Sequence, residues 1–287
     1  AMPDSTGLLP MAEEFPGRVI DVGIAEQHAA TAAAGMTMGG LRPVVAIYST
    51  FMSRAFDQIN LDVGLHEAPV VFVCDRAGIT GDDGASHHGL LDMMLFTKVP
   101  NMTVFAPSSY GEVGQMLDDA LELCTEGPAL IRFPKTMPPA STPGDTGSGL
   151  SARHVRSGDE VCLIGVGKML EPVREAAELL EAQGTSVTVW DPRVVKPLDA
   201  DMIHDAARHG LVVTLEDGLR DGGVGSMIAD ALRDIAPVDG PSVRVLGVPS
   251  AYISHGKPDT ILAELGLDAA GIVSEVRSWQ RTSASKQ

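Results

Sequence analysis

Short apolar runs rich in β-branched residues alternate along the chain with longer stretches that are amphipathic or built of small residues. This alternation is typical of parallel strands joined by crossover helices, so we predict an α/β protein. In the first half, strands are predicted at residues 18–22, 43–48, 69–75, 102–106 and 129–133. In the second half, they are predicted at residues 161–167, 186–190, 211–216 and 243–248.

Two of the stretches between these strands have distinct helical patterns. One has apolar residues at positions i, i+3, i+7 and i+10, namely Leu170, Val173, Ala177 and Leu180. This spacing predicts a helix with one buried face and a solvated acidic face. The other, residues 29–40, is small and apolar on every face, which predicts a helix packed closely on all sides.

The stretch 135–152 is rich in Pro, Gly, Ser and Thr and has no hydrophobic periodicity, so it indicates an exposed linker. A chain of 287 residues is comfortable for two domains. We therefore predict a first domain at residues 1–136, a linker at 137–155 and a second domain at 156–287. Each domain is expected to be a mostly parallel sheet flanked by helices.

Composition narrows the classes of partner. With 44% hydrophobic and 21% charged residues, the chain is an ordinary globular protein without an apolar run long enough to cross a bilayer. A formal charge of -17 argues against nucleic acid, because phosphate backbones are bound by clustered Lys and Arg. We expect neither a membrane nor a nucleic acid as partner.

The cysteines and the N-terminal residues bear on localisation. Cys74, Cys124 and Cys162 have no CxxC spacing, so we expect no metal site and no disulfide, as suits a reducing cytoplasm. The first residues carry no secretory signal pattern. They predict a loop and short helix leading into the first strand, as though a larger protein preceded them.

The segment DVGIAEQHA, residues 21–29, places a strand end, a glycine turn and a helix start around Glu26. Acidic residues are common in the first turn of a helix, so a solvated Glu26 is one interpretation. Because the helix behind it is apolar on all faces, we instead expect Glu26 to be partly buried with a partner. It is the main catalytic candidate.

Polar and aromatic residues follow the second predicted strand. Tyr48 ends that strand, Phe51 begins the next helix and Arg54 lies about one turn further on the same face. Aromatic rings beside a cation suit a flat ring and an anion. The alternative is that both rings belong to the core and that Arg54 pairs with Asp57.

The third strand is followed by the fifteen-residue loop DRAGITGDDGASHHG. Polar loops of this length in compact domains are usually functional or disordered. Its residues do not match a calcium-binding loop. A proton-handling role suits His87 or His88, and Arg76, at the strand end, is well placed to hold a phosphate or carboxylate.

Together with VPNMTVFAPS and IRFPKT, these segments resemble, in order and spacing, the pyrimidine-binding domain of the 1-deoxy-D-xylulose-5-phosphate synthase family. VVKPLDADMI, VVTLEDGLRDGGVGS and RVLGVPSAYISHGKPD resemble the transketolase-type C-terminal domain of the same family. The resemblance covers nearly the whole chain. It implies a thiamine-diphosphate-binding fold in the first domain and a transketolase C-terminal-like fold in the second.

The resemblance also implies an activity. Members of this family use thiamine diphosphate to decarboxylate pyruvate and join the two-carbon unit to D-glyceraldehyde 3-phosphate, which gives 1-deoxy-D-xylulose 5-phosphate and CO2. This reaction begins the methylerythritol phosphate pathway of isoprenoid biosynthesis. The complete enzyme is expected to be a cytoplasmic homodimer.

By the same resemblance, residues of this chain acquire roles. Glu26 would hydrogen-bond the aminopyrimidine of the cofactor, with Phe51 stacked on it and Tyr48 beside it, and Glu26 and His87 would be catalytic. The substrate-binding positions implied are Tyr48, Arg54, Arg76, Asp83, His87 and Lys135.

Two departures from the family pattern matter. The family usually has RYPRG where this chain has RFPKT, so Lys135 replaces a second phosphate-binding arginine and leaves the acceptor open. The GDG…N segment that binds diphosphate through Mg2+ is absent, and Gly81 to Gly84 does not replace it. The diphosphate and Mg2+ sites are therefore expected on an N-terminal domain outside this chain, either in a longer parent protein or in a separate subunit. The chain alone is expected to be inactive.

Two other classes remain open. Another transketolase-type carboligase, such as a transketolase or the β-subunit of a 2-oxoacid dehydrogenase, would have the same architecture. A non-catalytic interaction module would keep the fold and lose the pocket residues, most of which are present here.

Overall fold

The structure is a computed structural model that describes residues 4–136 and 146–285. Its strands are β1 (Val44–Tyr48), β2 (Val71–Asp75), β3 (Thr103–Phe105), β4 (Ala129–Arg132), β5 (Arg153–Arg156), β6 (Val161–Gly165), β7 (Val187–Asp191), β8 (Val194–Lys196), β9 (Leu211–Leu219) and β10 (Ser242–Val248). Its α-helices are α1 (Leu9–Glu14), α2 (Glu26–Met38), α3 (Ser49–Met52), α4 (Phe56–Gln58), α5 (Asp92–Phe96), α6 (Tyr110–Leu123), α7 (Leu170–Glu181), α8 (Ala200–Ala206), α9 (Val224–Ile235), α10 (Pro258–Glu264) and α11 (Ala269–Ala284). Short 3-10 turns lie at Ser53–Ala55 and Gly167–Met169, and a π turn lies at Ile59–Gly64.

Two five-stranded sheets organise the chain. The first has the order β1-β2-β4-β3-β8 and the second the order β10-β9-β6-β7-β5. Every pairing is parallel except at one edge of each sheet, where β8 runs antiparallel to β3 and β5 antiparallel to β7. Helices flank both sheets, which confirms the predicted α/β class with mostly parallel sheets.

Eight of the nine predicted strands are present, with ends that differ by a few residues. The prediction of a strand at residues 18–22 is wrong: this segment is irregular, and its Ile20 is exposed. Its apolar residues suggested a strand, but no strand of the described chain pairs with it. The strands β5 and β8 were missed because they are short and end in charged side chains.

The position of β8 links the two halves of the chain. This strand comes from the second half yet pairs with β3 of the first sheet. Strand β5 takes up residues 153–155 of the predicted linker, while residues 137–145 lie outside the described part. The division at residues 1–136, 137–155 and 156–287 stays a proposal.

The two helical patterns have different outcomes. The predicted face of α7 is confirmed, since Leu170, Val173, Ala177 and Leu180 are all buried. For α2 the prediction of packing on all sides is met on one face, and its other face, expected to lie against another domain or subunit, stays a prediction. Four of its five alanines are buried on the face towards the first sheet, whereas Thr31, Gly35 and Met38 are exposed on the opposite face. Composition marks α2 as suited to close packing, but the surface that would cover its outer face is not supplied by the described residues.

Side-chain caps start two helices of the second half. Asp199 accepts a hydrogen bond from the Met202 backbone N–H at 2.9 Å and begins α8. Asp268 accepts one from the Gly271 backbone N–H at 2.8 Å and begins α11. Each carboxylate satisfies a backbone donor that the helix itself leaves unpaired.

In the described part of the chain, no helix has the length and apolar character needed to cross a bilayer.

A buried ionic cluster joins the two sheets. Arg132, at the end of β4, donates to Asp92 at 2.9 Å and to Asp217 of β9 at 2.7 Å. Lys168 also pairs with Asp217, at 3.1 Å. Burial by itself would raise the pKa of Asp217, but the charges of Arg132 and Lys168 overcome this effect and lower it to about 2. The carboxylate is therefore ionised at neutral pH and ties β9 to β4.

The neighbouring Glu216 holds the start of α9. Its carboxylate is buried and accepts hydrogen bonds from the backbone N–H groups of Val224 at 3.1 Å and Gly225 at 2.8 Å. These bonds favour the ionised form, as a helix N-terminus does. Burial outweighs them and raises the pKa of Glu216 to about 7 from an ordinary value of 4.5.

This raised pKa predicts a pH dependence of stability. Between pH 4.5 and about 7, the unfolded chain releases the Glu216 proton while the folded chain keeps it, so the free energy of unfolding falls as pH rises. At about 1.4 kcal/mol per pKa unit, the loss is about 3 kcal/mol. We expect Glu216→Gln to remove this component, as measured by urea unfolding at pH 5 and pH 8. The exposed Glu122→Gln should keep the wild-type difference, and an unchanged difference in Glu216→Gln would contradict the assignment.

Candidate active site

A cavity of about 210 Å³ lies where the carboxyl end of β1 meets the start of α2. In open α/β sheets, ligands bind at this edge, outside the carboxyl ends of the strands. The lining residues are Ile24, Glu26, Ile47, Tyr48, Phe51, Arg54 and His87. The cavity thus has apolar and aromatic walls, a buried carboxylate, a guanidinium and an imidazole.

Glu26 is the buried acid of this cavity. It is the first residue of α2 and is only 2% exposed, which confirms the expected burial. Its Oε1 accepts a hydrogen bond from Nη1 of Arg54 at 3.1 Å, and the Arg54 side chain is 49% exposed. The buried carboxylate therefore has a charged partner that reaches solvent. The alternative pairing of Arg54 with Asp57 is not the one observed.

Three rings form one wall of the cavity. Tyr48 and Phe51 are stacked, with centroids 5.9 Å apart and ring planes 8° apart. The His87 ring meets Phe51 edge-on at 5.3 Å. The local sequence explains this arrangement. Strand β1 ends at Tyr48 and helix α3 begins at the next residue, Ser49, so the first turn of the helix brings Phe51 back beside the strand end. Tyr48 and Phe51 both pack against the core and line the cavity. A role in the core, which was the alternative interpretation, is therefore compatible with a role in ligand binding.

Both predicted arginines lie over aromatic rings. The Arg54 guanidinium carbon is 4.8 Å from the Phe51 centroid, and that of Arg76 is 4.1 Å from the Tyr48 centroid. Cations in this position are attracted by the ring quadrupole. The stacking holds the Arg54 guanidinium in the cavity wall, and it holds the Arg76 guanidinium against Tyr48, another residue of that wall.

Arg76 begins the loop after β2. It has a left-handed backbone conformation, with φ 59°, and pairs with the carboxylate of Asp75 at the end of that strand. Burial raises the pKa of Asp75, and the charge of Arg76 opposes the rise. The pair therefore supports a fixed guanidinium beside the cavity.

Asp83 and Lys135 form an ion pair at the surface. Nζ of Lys135 lies 2.8 Å from Oδ2 of Asp83, and both side chains are well exposed to solvent. The hydrogen bond from Lys135 lowers the pKa of Asp83, with smaller contributions from the charges of His87 and Arg76. These four predicted substrate-binding residues are thus close enough to interact, but His87 lines the cavity and the other three, Arg76, Asp83 and Lys135, do not.

The active-site loop, which we define as residues 76–89, closes on itself at its base. Gly78 and Gly89 exchange two backbone hydrogen bonds, of 2.7 and 2.8 Å. A Cβ at Gly89 would lie 2.5 Å from the Arg76 carbonyl oxygen and 2.5 Å from Oγ of Ser49. Only glycine allows the two ends of the loop to approach the helix start this closely.

We expect Gly89→Ala to destabilise the protein by about 1–3 kcal/mol, because the methyl group has no free space. Gly114→Ala is the matched control: Gly114 lies within α6 with nothing within 4 Å of an added Cβ. That substitution should raise stability by about 0.5–1 kcal/mol. Urea unfolding measures the free energy of unfolding of both variants. Equal changes in the two variants would show that the close contacts of Gly89 do not limit the residue at that position.

Sequence reasoning missed several residues around the site. Ile24 and Ile47 line the cavity, and their apolar side chains in strand and turn segments gave no chemical signal. Asp217 belongs to the strand-end sequence LEDG, and a Cβ at Gly78 would lie 1.7 Å from its Oδ2. The adjacent acidic residues Glu216 and Asp217 in this sequence were the signal by which Asp217 could have been found. Among the described residues, no group of three or more His, Cys, Asp or Glu side chains could hold a metal ion.

Comparison with known proteins defines the class. Residues 1–140 match the model of the transketolase pyrimidine-binding domain, and residues 150–272 match that of the transketolase C-terminal domain. A solved structure described as "Split gene transketolase, inactive beta4 tetramer" superposes with a TM-score of 0.86 at 30% identity, over 97% of this chain and 89% of that one. The chain belongs to the transketolase family.

Relatives within this family carry a more specific name. The 1-deoxy-D-xylulose-5-phosphate synthase of Thermobifida fusca is 48% identical over 96% of this chain and 44% of its own length. The 1-deoxy-D-xylulose-5-phosphate synthase 1 of Streptomyces coelicolor is 48% identical over 96% of this chain and 42% of its own length. The resemblance seen in the motifs is confirmed. The chain spans less than half the length of these relatives.

Proposed function

We propose that this chain is the pyrimidine-binding and C-terminal portion of a thiamine-diphosphate-dependent synthase. The complete enzyme would decarboxylate pyruvate and join the two-carbon unit to D-glyceraldehyde 3-phosphate, giving 1-deoxy-D-xylulose 5-phosphate and CO2. The observation that carries the proposal is the buried Glu26 carboxylate in a ring-walled cavity with Arg54, together with the synthases that are 45–48% identical to this chain.

The cavity fits the pyrimidine ring of thiamine diphosphate. Its apolar walls, Ile24, Ile47 and Phe51, suit a flat ring, and the nearly solvent-free Glu26 carboxylate can exchange a hydrogen bond and a proton with a ring nitrogen. When bound, the cofactor supplies the carbon nucleophile that accepts the two-carbon unit. The diphosphate and Mg2+ are assigned to an N-terminal domain, since this chain has no GDG…N segment.

The remaining polar residues would handle the substrates. Arg54 and Arg76 are held over aromatic rings and can bind the phosphate of the acceptor. His87 is placed against Phe51 with its Nδ1 2.9 Å from Oγ of Ser86, so it can donate or accept a proton at the reacting oxygens. Tyr48 positions the Arg76 guanidinium, and the Asp83–Lys135 pair extends the polar surface.

A partner surface adjoins the cavity. Ile24, which lines the cavity, is 77% exposed, and Met38, at the far end of α2, is 72% exposed; the outer face of α2 is otherwise small or polar. Exposed apolar groups beside a catalytic cavity suit a protein interface. We assign this surface to the assembly of the complete enzyme, a homodimer that includes the diphosphate-binding domain in the same chain or a separate one. The solved neighbour described as an inactive beta4 tetramer agrees with inactivity of this portion alone.

A related carboligase with a different acceptor is the second candidate. Lys135 stands where a phosphate-binding arginine is expected, and it is already paired with Asp83. A lysine cannot give the bidentate geometry of an arginine, so a different acceptor is compatible with the same donor chemistry.

Three free, buried cysteines agree with the proposed location in a reducing cytoplasm.

The deciding assay supplies pyruvate, thiamine diphosphate, Mg2+ and D-glyceraldehyde 3-phosphate. It compares the chain alone with the chain assembled with its diphosphate-binding domain. We expect 1-deoxy-D-xylulose 5-phosphate and CO2 from the assembled enzyme only. Product from another aldose but not from glyceraldehyde 3-phosphate would establish the second candidate. Turnover by the chain alone would refute the requirement for the missing domain.

A further inference from the structure

His88, next to the proposed catalytic His87, is not among the residues that line the cavity and is buried, at 6% exposure. Its Nδ1 lies 3.1 Å from the backbone nitrogen of Thr80, which donates to it. An imidazole nitrogen that accepts an amide hydrogen carries no proton of its own, so the ring proton of the neutral form is on Nε2. Nε2 lies 3.4 Å from the backbone carbonyl oxygen of Ser254 and donates to it.

Ser254 belongs to the other half of the chain. We call residues 249–258, between β10 and the start of α10, the C-terminal strap. One imidazole therefore joins the Thr80 backbone to that of Ser254, which lies 166 residues beyond His88 in the sequence. A buried polar ring with both nitrogens satisfied fixes the positions of the groups that it bonds.

The strap contacts the active-site loop at two more points. The Gly256 backbone N–H donates to the Gly81 carbonyl oxygen at 3.3 Å, and a Cβ at Gly81 would lie 2.8 Å from Cδ of Pro258. Gly81 has φ +91°, a conformation that favours glycine. A Cβ at Gly84 would be 3.4 Å from Cβ of His255. The loop is thus seated on the strap along the stretch from Gly81 to His88.

This stretch carries Asp83 and His87, two of the three proposed substrate-binding side chains of the loop. Asp83 lies between the two contact points, and His87 directly precedes His88 in the chain. The backbone N–H groups of His87 and His88 both donate to the Gly84 carbonyl oxygen, at 3.0 and 3.2 Å. The turn is rigidly connected, so a shift of His88 moves His87 with it.

We propose that His88 is a positioning residue that fastens the active-site loop to the C-terminal strap and thereby sets where Asp83 and His87 meet the acceptor substrate. His88 itself touches neither cofactor nor substrate. The consequence for the acceptor rests on the proposed function, whereas the attachment of loop to strap does not. The second half of the chain, from which no described residue lines the cavity, would act on the chemistry through this contact.

Two substitutions at His88 separate its hydrogen bonds from its volume. In His88→Gln the amide oxygen can accept from Thr80 and the amide nitrogen can donate to Ser254, whereas His88→Leu can do neither. Hydrogen–deuterium exchange of the full chain reports on the attachment. We expect the Thr80 and Gly256 amides to exchange about tenfold faster in His88→Leu, as the loss of a buried hydrogen bond implies, and close to wild type in His88→Gln.

The assembled enzyme reports on the positioning. His88→Leu should raise KM for glyceraldehyde 3-phosphate about tenfold with a smaller change in KM for pyruvate, and His88→Gln should restore it. The exposed His204→Leu is the control. Should His88→Leu not fold, Gly81→Ala perturbs the other contact and should raise Gly256 exchange and the acceptor KM together.

Unchanged exchange at Thr80 in His88→Leu, or equal impairment in His88→Gln and His88→Leu, would overturn the proposal. So would a Gly81→Ala variant in which exchange rises and the acceptor KM does not. If the assembled wild-type enzyme fails to use glyceraldehyde 3-phosphate at all, the proposed function fails. The exchange measurements still decide whether His88 fastens the loop, so the two failures are distinguishable.

Discussion

We expect Glu26→Gln to lower kcat of the assembled enzyme by about 10²–10⁴-fold, the usual contribution of a positioned acid or base. Glu26 is the one carboxylate among the described residues that line the cavity, and it is only 2% exposed. Glutamine keeps the volume and can still accept from Arg54, but its amide cannot take up or release a proton. The rate should therefore fall while the fold is retained.

Two measurements make this prediction specific. Steady-state carboligation gives kcat and KM, and urea unfolding should differ from wild type by about 1 kcal/mol or less, since Arg54 is half exposed and can be solvated. Glu171→Gln, an exposed charge change on α7, should leave the rate unaltered. A near-normal kcat in Glu26→Gln would remove the basis of the proposed mechanism.

The largest expected effect on stability is that of Arg132→Met, about 3–5 kcal/mol lost from the free energy of unfolding. Arg132 and Asp92 are almost fully buried, as is Asp217, so water cannot replace the guanidinium. Removing the cation leaves two carboxylates in the interior, with Lys168 as the remaining partner of Asp217. Because Asp217 lies directly beneath Gly78, the base of the active-site loop should loosen as well.

Urea unfolding monitored by circular dichroism measures the loss. The matched control is Arg233→Met, which breaks an ion pair of similar distance, 2.7 Å, with both side chains at least 70% exposed. It should cost about 1 kcal/mol or less. Adding Asp92→Asn to Arg132→Met removes one uncompensated charge and should recover part of the stability. A loss in Arg132→Met no larger than in Arg233→Met would mean that the buried cluster does not support the fold as argued.

Much of the fold could be predicted because its signals are local. Buried parallel strands require continuous apolar runs, and the face of α7 requires the spacing of Leu170, Val173, Ala177 and Leu180. Both patterns are legible in the sequence. The segment at residues 18–22 carries the same kind of signal without a neighbouring strand, and β8 is three residues long with a distant partner. Strand pairing is a property of two segments, so neither outcome could be derived from one segment alone.

The features of the site also fall into those that the sequence predicted and those that it could not. Tyr48, Phe51, Arg54 and Arg76 follow strand ends, and parallel strands bring their carboxyl ends to one edge, so their gathering could be predicted. The apolar helix behind Glu26 correctly implied burial. The partner of Glu26 could not be predicted, because Arg54 is 28 residues away in the sequence. The nearer Asp57 was an equally reasonable partner for Arg54.

The sequence by itself determined the α/β class, the positions of most strands, the chemistry gathered at one sheet edge and the resemblance to transketolase-type synthases. Each of these depends on residue type and spacing, which the chain carries locally. Only the tertiary structure decided that Arg54 neutralises Glu26, that Arg132 is enclosed by Asp92 and Asp217, and that His88 reaches the C-terminal strap. These contacts join residues far apart in sequence, and burial sets their energies through the loss of water around each charge or dipole.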